Sequence, residues 1–126
     1  MKIEHIAIWV RDLDKMKNFY QRYFTAQANN LYHNQKTGFK SYFLSFNGSC
    51  RIELMNKPDL IDNSVEVFGY AHIALAVGDK NKVDQLTQEL VSDGFLLTSG
   101  PRTTGDGYYE SVIKDPEGNL IELTTS

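Results

Sequence analysis

The sequence contains Glu4-His5-Ile6-Ala7-Ile8-Trp9-Val10 early in the chain and Ala71-His72-Ile73-Ala74-Leu75-Ala76-Val77 past its middle. The two stretches are 67 residues apart, since 72 − 5 = 67. Three further pairs keep the same offset: Asp12 and Asp79, Lys15 and Lys82, and Gln21 and Gln88. Similarity that recurs at one spacing indicates an internal duplication.

The duplication extends to the far end of each copy. Ile52-Glu53-Leu54 resembles Ile121-Glu122-Leu123 at an offset of 69 residues (122 − 53 = 69), so the second copy holds a small insertion. Each copy reads as a strand, a helix and three strands. We therefore predict an α+β fold of two tandem βαβββ modules, residues 1–56 and 69–126, joined by a Pro58-containing linker over residues 57–68.

Local patterns set the expected bounds of the first elements. The first strand should run from about residue 2 to residue 10, followed by a helix that begins at the N-cap Asp12 and ends near Phe24. The spacing of apolar residues predicts one buried stripe on each helix. The stripes comprise Leu13, Met16, Phe19, Tyr20 and Tyr23 in the first helix, and Val83, Leu86, Leu90 and Val91 in the second.

Glycines mark the end of the second helix and the last turn of each module. Gly94 should end the second helix. The turns Asn47-Gly48 and Asp115-Pro116-Glu117-Gly118-Asn119 should each place a glycine at positive φ in a hairpin.

Strand alternation separates two histidines and two glutamates from the apolar residues around them. His5 shares a strand face with Ala7 and Trp9, whereas Ile6, Ile8 and Val10 face the helix. The repeat places His72 equivalently, and Glu53 and Glu122 each lie between two apolar neighbours that face the helix. All four polar side chains should therefore point away from the helices, onto the concave face of a curved sheet.

A structural explanation exists for each of these residues alone. A histidine in a strand often has only a structural role, as a hydrogen-bonded residue. A glutamate between two apolar residues often only lies on the solvent-exposed face of a strand. Their recurrence at the same points of both modules favours a shared metal site, because a divalent cation compensates the burial of two carboxylates. The predicted metal ligands are His5, Glu53, His72 and Glu122.

The composition of the chain limits the classes of binding partner and the cellular location that we expect. A net charge of −3 and a pI near 5.5 argue against nucleic acid and membrane surfaces as partners. The single cysteine, Cys50, excludes an internal disulfide, so the cytoplasm is the expected location. Because the chain already reads as a strand near residue 2, we expect no leader segment.

Three motifs carry a resemblance to a known family. They are His5-Ile6-Ala7 followed by Asp12, the stretch at residues 69–77, and the stretch at residues 115–123. With these motifs the whole chain resembles the vicinal-oxygen-chelate superfamily, which includes glyoxalase I, extradiol dioxygenases, epimerases, fosfomycin-resistance enzymes and bleomycin-binding proteins. The resemblance implies a single glyoxalase-like domain over residues 1–126, whose paired βαβββ modules form a cupped mixed β-sheet with flanking helices around one metal.

The ligand set resembles that of glyoxalase I most closely. It implies one divalent ion per site, among Ni, Co, Zn, Mn and Fe. The implied activity is that of a metal-dependent lyase or isomerase that converts an α-hydroxy-carbonyl, hemithioacetal-like small molecule through an enediolate. Glu122 is the predicted base and Glu53 its possible partner. The alternatives are a non-catalytic binding or resistance protein of the same superfamily, a related epimerase and a thiol transferase.

Other residues are assigned by their position on the ligand-bearing faces. Trp9, Arg51 and Met55 are predicted to contact substrate, with an ion pair as the equal alternative for Arg51. Trp9 stands where glutathione-using relatives usually present an arginine, which argues against glutathione. The run at residues 100–109 is either an anion-binding lid or, more simply, a hairpin loop. Resemblance to small glyoxalases also implies a homodimer in which each metal site is shared between subunits.

Overall fold

The computed structural model describes residues 3–62, 68–105 and 107–126. The chain divides into two compact units, residues 1–67 and residues 68–126. Each unit contains one helix packed on its own sheet. Among the described residues, no helix is long and apolar enough to cross a membrane.

The first unit contains five strands and one helix. They are β1 (His5–Trp9), α1 (Leu13–Phe24), β2 (Gln27–Ala28), β3 (Tyr32–His33), β4 (Lys40–Ser45) and β5 (Arg51–Asn56). The sheet order is β1-β5-β4-β2, and β3 pairs with β4. β1 runs parallel to β5, and the other pairs are antiparallel. The first strand is shorter than the predicted one, and residue 2 lies outside the described residues.

The second unit repeats this plan with four strands. They are β6 (His72–Gly78), α2 (Lys80–Ser92), β7 (Leu97–Thr103), β8 (Tyr109–Lys114) and β9 (Leu120–Thr125). The order is β6-β9-β8-β7, and β6 is parallel to β9. The predicted α+β class with two modules of the βαβββ type is confirmed.

Each helix begins at an aspartate, as the sequence predicts. The Asp12 carboxylate accepts a hydrogen bond from the Lys15 N–H at 3.0 Å, and the Asp79 carboxylate accepts one from the Lys82 N–H at 2.9 Å. Both satisfy an N–H that has no partner within the helix. The second helix stops at Ser92, and Gly94 follows with φ +93°, a conformation that favours glycine.

The buried stripes of the two helices hold each unit together. Met16 and Tyr20 of α1 are fully buried with Leu44 and Leu54 of the sheet. In α2, Val83, Leu86 and Leu90 are buried, but Val91 is 45% exposed, so its assignment to the stripe was wrong. Thr87 belongs to the buried stripe instead, four residues after Val83 and three before Leu90. Its hydroxyl donates to the Val83 carbonyl and lies 2.6 Å from the Ser111 hydroxyl, so the buried polar group is satisfied.

A tyrosine in each sheet also ties the helix to the strands. The Tyr42 hydroxyl donates to Asp14 at 3.0 Å, and the Tyr109 hydroxyl donates to Asp84 at 2.5 Å. The hydrogen bond to Asp84 raises the pKa of Tyr109 above its ordinary value. A lysine ammonium lies over each ring, which repeats the arrangement in both units.

The two predicted hairpin turns differ from one another. Gly118 has φ +86°, and the buried Asp115 carboxylate accepts from the Glu117 N–H and from the Asn119 N–H and side-chain amide. Gly48 does not have positive φ, so that prediction was wrong. The connection there is longer than a two-residue turn, and the Gly48 N–H donates to the Phe46 carbonyl instead.

We predict that Asp12→Ala and Asp79→Ala each lower the free energy of unfolding by about 1 kcal/mol, because the capped N–H loses its acceptor. Urea denaturation of the purified variants measures the change. Asp12→Asn and Asp79→Asn are matched controls that keep an acceptor and should lose only a few tenths of a kcal/mol. Equal destabilisation by alanine and asparagine would contradict the role of these caps.

Candidate functional site

The first unit brings His5 and Glu53 together on the sheet face away from the helix. Along β1 the exposed residues are His5, Ala7 and Trp9, as alternation predicts. The parallel pairing of β1 with β5 sets Glu53 beside Ala7. The His5 Nε2 atom lies 3.9 Å from the Glu53 Oε1 atom, with the imidazole 39% and the carboxylate 15% exposed. We call this pair the first half-site.

The second unit repeats this geometry with His72 and Glu122. Glu122 pairs with Ala74, two residues after the histidine, just as Glu53 pairs with Ala7. The His72 Nε2 atom lies 3.3 Å from the Glu122 Oε2 atom, and the two side chains are 44% and 17% exposed. This pair is the second half-site. The structural register is thus identical although the sequence offsets differ by two residues.

Each half-site presents one imidazole nitrogen and one carboxylate oxygen. This donor set suits zinc and the neighbouring transition metals. Within residues 3–62, 68–105 and 107–126, no three or more histidine, cysteine or acidic side chains cluster closely enough to hold a metal. Two donors are fewer than the three or four protein ligands that such ions take.

Glu4 contacts the predicted ligand His5, and the alternation of residues along the first strand did not identify it. Its carboxylate bonds to the Nδ1 atom of His5, which leaves Nε2 directed at Glu53. That hydrogen bond, together with Arg51, holds the pKa of the Glu4 carboxyl below its ordinary value. Glu4 precedes the first residue of β1, so strand alternation does not fix its side chain. The one available signal was its position directly before the histidine.

Arg51 forms the ion pair that was the alternative to substrate contact. Its Nε atom donates to Glu4 at 2.8 Å, and a terminal nitrogen lies 2.5 Å from the same oxygen. The guanidinium also lies 4.2 Å from the centroid of the Phe43 ring, which meets the His5 ring edge-on at 5.3 Å. The arginine thus buttresses Glu4 and His5.

The remaining predicted contacts lie on the same face. Trp9 is 46% exposed and pairs in register with the half-buried Met55. Trp9 meets Phe39 edge-on at 6.2 Å, and the Lys57 ammonium lies 4.9 Å from its ring centroid. Sequence reasoning missed Phe39 and Lys57. Phe39 approaches Trp9 through the pairing of β4 with β5 and of β5 with β1, and Lys57 approaches it through the pairing of β5 with β1.

A hydroxyl near Glu122 was also missed. Thr124 lies two residues beyond Glu122 on the same strand face, and its Oγ1 atom is buried without a hydrogen-bond partner among the described residues. A buried hydroxyl normally has a partner, so this atom can receive one from a water molecule or a ligand.

Residues 100–103 of the run at residues 100–109 belong to β7 and Tyr109 begins β8, so the middle of the run connects two antiparallel strands. The Thr104 N–H donates to the Tyr108 carbonyl at 2.7 Å, and the Thr104 hydroxyl accepts from the Tyr108 N–H at 3.0 Å. Residue 106, part of the alternative lid, lies outside the described residues. Cys50 and His33 are both exposed.

Sequence comparison identifies the class of protein. A profile of the Glyoxalase/Bleomycin resistance protein/Dioxygenase superfamily matches residues 2–123. The chain belongs to this superfamily, which confirms the resemblance inferred from its motifs.

One curated relative is similar over nearly the whole chain. The uncharacterized protein YwkD of Bacillus subtilis (strain 168) is 35% identical over an alignment of 126 positions, which covers 96% of this chain and 94% of the relative.

Solved structures share the fold at lower identity. A glyoxalase family protein from Bacillus cereus aligns with a TM-score of 0.84 at 20% identity, over 99% of this chain and 93% of that one. The trypanothione-dependent glyoxalase I of Leishmania major aligns with a TM-score of 0.79 at 21% identity, over 99% and 86%. At this identity the likeness establishes the fold alone.

Proposed function

We propose that the protein is a metal-dependent lyase or isomerase of the glyoxalase type, acting on an α-hydroxy-carbonyl compound such as a hemithioacetal. The observation that carries this proposal is the duplicated pair of His5 with Glu53 and His72 with Glu122, each at the same register of a parallel strand pair. Membership of the superfamily supports it.

The proposed centre holds one divalent ion, among Ni, Co, Zn, Mn and Fe, through all four side chains of the two half-sites. The donor chemistry fits, because two imidazoles and two carboxylates form the mixed nitrogen and oxygen set that these ions accept. Glu4 on the far nitrogen of His5 is the kind of carboxylate partner that orients ligating histidines. A bound ion would polarise the substrate carbonyl and stabilise negative charge on the adjacent oxygens.

The carboxylates of the centre would move the proton. Glu122 removes it from the carbon that bears the hydroxyl group, which leaves an enediolate, and a proton returns to the neighbouring carbon with Glu53 as the second carrier. The product is the isomeric hydroxy-carbonyl compound, so atoms and charge balance. Glu53 and Glu122 are 15% and 17% exposed, and this shielding from water strengthens their electrostatic interaction with a charged intermediate.

We predict about one divalent ion per chain, with His5→Ala and His72→Ala each greatly weakening its binding. Elemental analysis after gentle purification, followed by metal titration, measures the content and the affinity. Glu4→Ala should cause a smaller loss of about 10-fold to 100-fold in affinity, because it removes only the group that orients His5.

Glu89→Ala is the matched control for that loss, because Glu89 is an exposed glutamate on α2. It should leave the affinity unchanged. Retention of metal by both histidine variants would refute the ligand assignment.

We predict that the metal-loaded protein isomerises adducts of an α-ketoaldehyde, and that the glutathione adduct of methylglyoxal is a poor substrate because Trp9 replaces a cationic contact. Steady-state rates should be compared for methylglyoxal alone and with glutathione, trypanothione, cysteine and coenzyme A. Trypanothione is included because the Leishmania glyoxalase I depends on it. A cytoplasmic location, proposed from the single cysteine, would give access to such thiols.

The Glu122→Gln variant separates catalysis from binding. Its rate should fall about 10²-fold to 10⁴-fold at full metal occupancy, as expected for loss of a general base. A kcat/KM above roughly 10⁵ M⁻¹s⁻¹ with glutathione would show the argument from Trp9 to be wrong. Absence of turnover with every adduct, together with tight binding, would favour the non-catalytic binding protein.

We further propose a homodimer in which each centre takes His5 and Glu53 from one subunit and His72 and Glu122 from the other. Two-fold symmetry would then give two equal centres, each completed by complementary half-sites. The arrangement is testable because each chain contains one half-site of each kind.

We predict that mixed His5→Ala and His72→Ala chains, unfolded and refolded together, recover roughly a quarter of wild-type metal binding. Random pairing makes half of the dimers mixed, and a mixed dimer has one doubly damaged and one intact centre. Refolding each variant alone is the control. If both half-sites of a centre belonged to one chain, mixing would restore nothing.

A further inference from the structure

The open face of the first unit carries an aromatic corner four residues along β1 from His5. Trp9 meets Phe39 edge-on at 6.2 Å, and Phe39 meets Tyr32 at 6.1 Å. Trp9 and Tyr32 are 46% and 53% exposed. We call these three side chains the aromatic corner. Because the three rings contact one another, they form a continuous apolar surface, which a ligand ring can cover.

A cation is held at this corner. The Lys57 ammonium lies 4.9 Å from the Trp9 ring centroid, within the range of a cation–π contact. Its position follows from the strand ends, because the Asn56 amide donates to the Val10 carbonyl at 2.5 Å and so joins the end of β5 to that of β1. Lys57 directly follows Asn56 and is therefore carried to Trp9.

The charge of Lys57 is not neutralised within the part of the chain that the structure describes. Two arginines of the same unit, by contrast, form ion pairs: Arg11 with Asp62, and Arg51 with Glu4. No described carboxylate lies within 4 Å of the Lys57 ammonium, so an anion from outside can bind there.

The corner lies close to the first half-site. Glu53 is level with Ala7, and Trp9 is two residues further along the same strand face, a distance of about 7 Å. That spacing accommodates one ring next to a pair of reacting oxygens.

We propose that the first unit recognises a compact aromatic carboxylate, with the ring against the aromatic corner and the carboxylate on Lys57. The substrate of the proposed reaction is accordingly an α-hydroxy-carbonyl compound whose non-reacting part is such a group. Only the orientation of its reacting end toward His5 and Glu53 depends on the proposed function. Binding of the ring and the anion does not depend on it.

Trp9 is the single tryptophan of the chain, so its fluorescence reports binding at the corner directly. The protein should be treated with EDTA and titrated with benzoate, benzamide and cyclohexanecarboxylate. Benzoate should bind about fivefold more tightly than benzamide, the strength of a partly exposed ion pair. It should also bind more tightly than cyclohexanecarboxylate, which lacks the aromatic ring.

Variants separate the two contacts. Lys57→Gln should abolish the preference for benzoate over benzamide, Lys57→Arg should retain it, and Phe39→Leu should reduce the preference for the aromatic ring. Lys17→Gln is the matched control, because the Lys17 ammonium makes the same kind of contact, 4.6 Å from the Tyr42 ring centroid, on the helix-packed side. It should change nothing.

Three results would overturn the proposal: equal or absent quenching by all three probes, a preference that survives Lys57→Gln, or an equal loss in Lys17→Gln. Because the titration contains no metal and measures no turnover, its failure leaves the metal centre untouched. Failure of the metal or activity measurements likewise leaves the corner untouched.

Discussion

The parallel pairing of the first and last strands in each unit is the constraint on which the rest of the structure depends. It sets Glu53 beside Ala7 and Glu122 beside Ala74, so a histidine and a glutamate distant in sequence become neighbours. A parallel pair needs a crossover, which the helix begins and the antiparallel strands complete. The apolar stripe of that helix then covers one face of the sheet and leaves the other face to the polar residues.

The alternation of residues along the strands and the internal duplication made most of this arrangement predictable from the sequence. Alternation assigned His5 and Trp9 to one face and Ile6 to the other, and the aspartate caps fixed where each helix begins. The prediction of a positive φ at Gly48 was wrong because a glycine beside an asparagine also fits longer connections that do not need positive φ. The prediction that Val91 is buried was wrong because its spacing fits the edge of the apolar stripe as well as its centre. Thr87 can be buried because its hydroxyl has hydrogen-bond partners in the core.

The groups that surround the predicted ligands were less predictable from the sequence, for a physical reason. Glu4 reaches His5 from outside the strand, where alternation no longer applies. Lys57 reaches Trp9 because a side-chain hydrogen bond from Asn56 joins two strand ends 46 residues apart. Contacts of this kind depend on strand register and side-chain rotamers, which a single sequence does not specify.

The two half-sites share the histidine and the glutamate but differ in several of the residues next to them. His5 is preceded by Glu4 and paired with Arg51, whereas His72 is preceded by Ala71 and paired with Leu120.

The same contrast holds further along the strands, where Trp9 pairs with Met55 but Ala76 pairs with Thr124. The first unit thus presents aromatic and charged groups next to its histidine and glutamate, and the second unit presents Leu120, Ala76 and Thr124 at the corresponding positions. Divergence of that kind is open to a duplicated chain, because under the proposed function each copy needs to retain only half of the ligands.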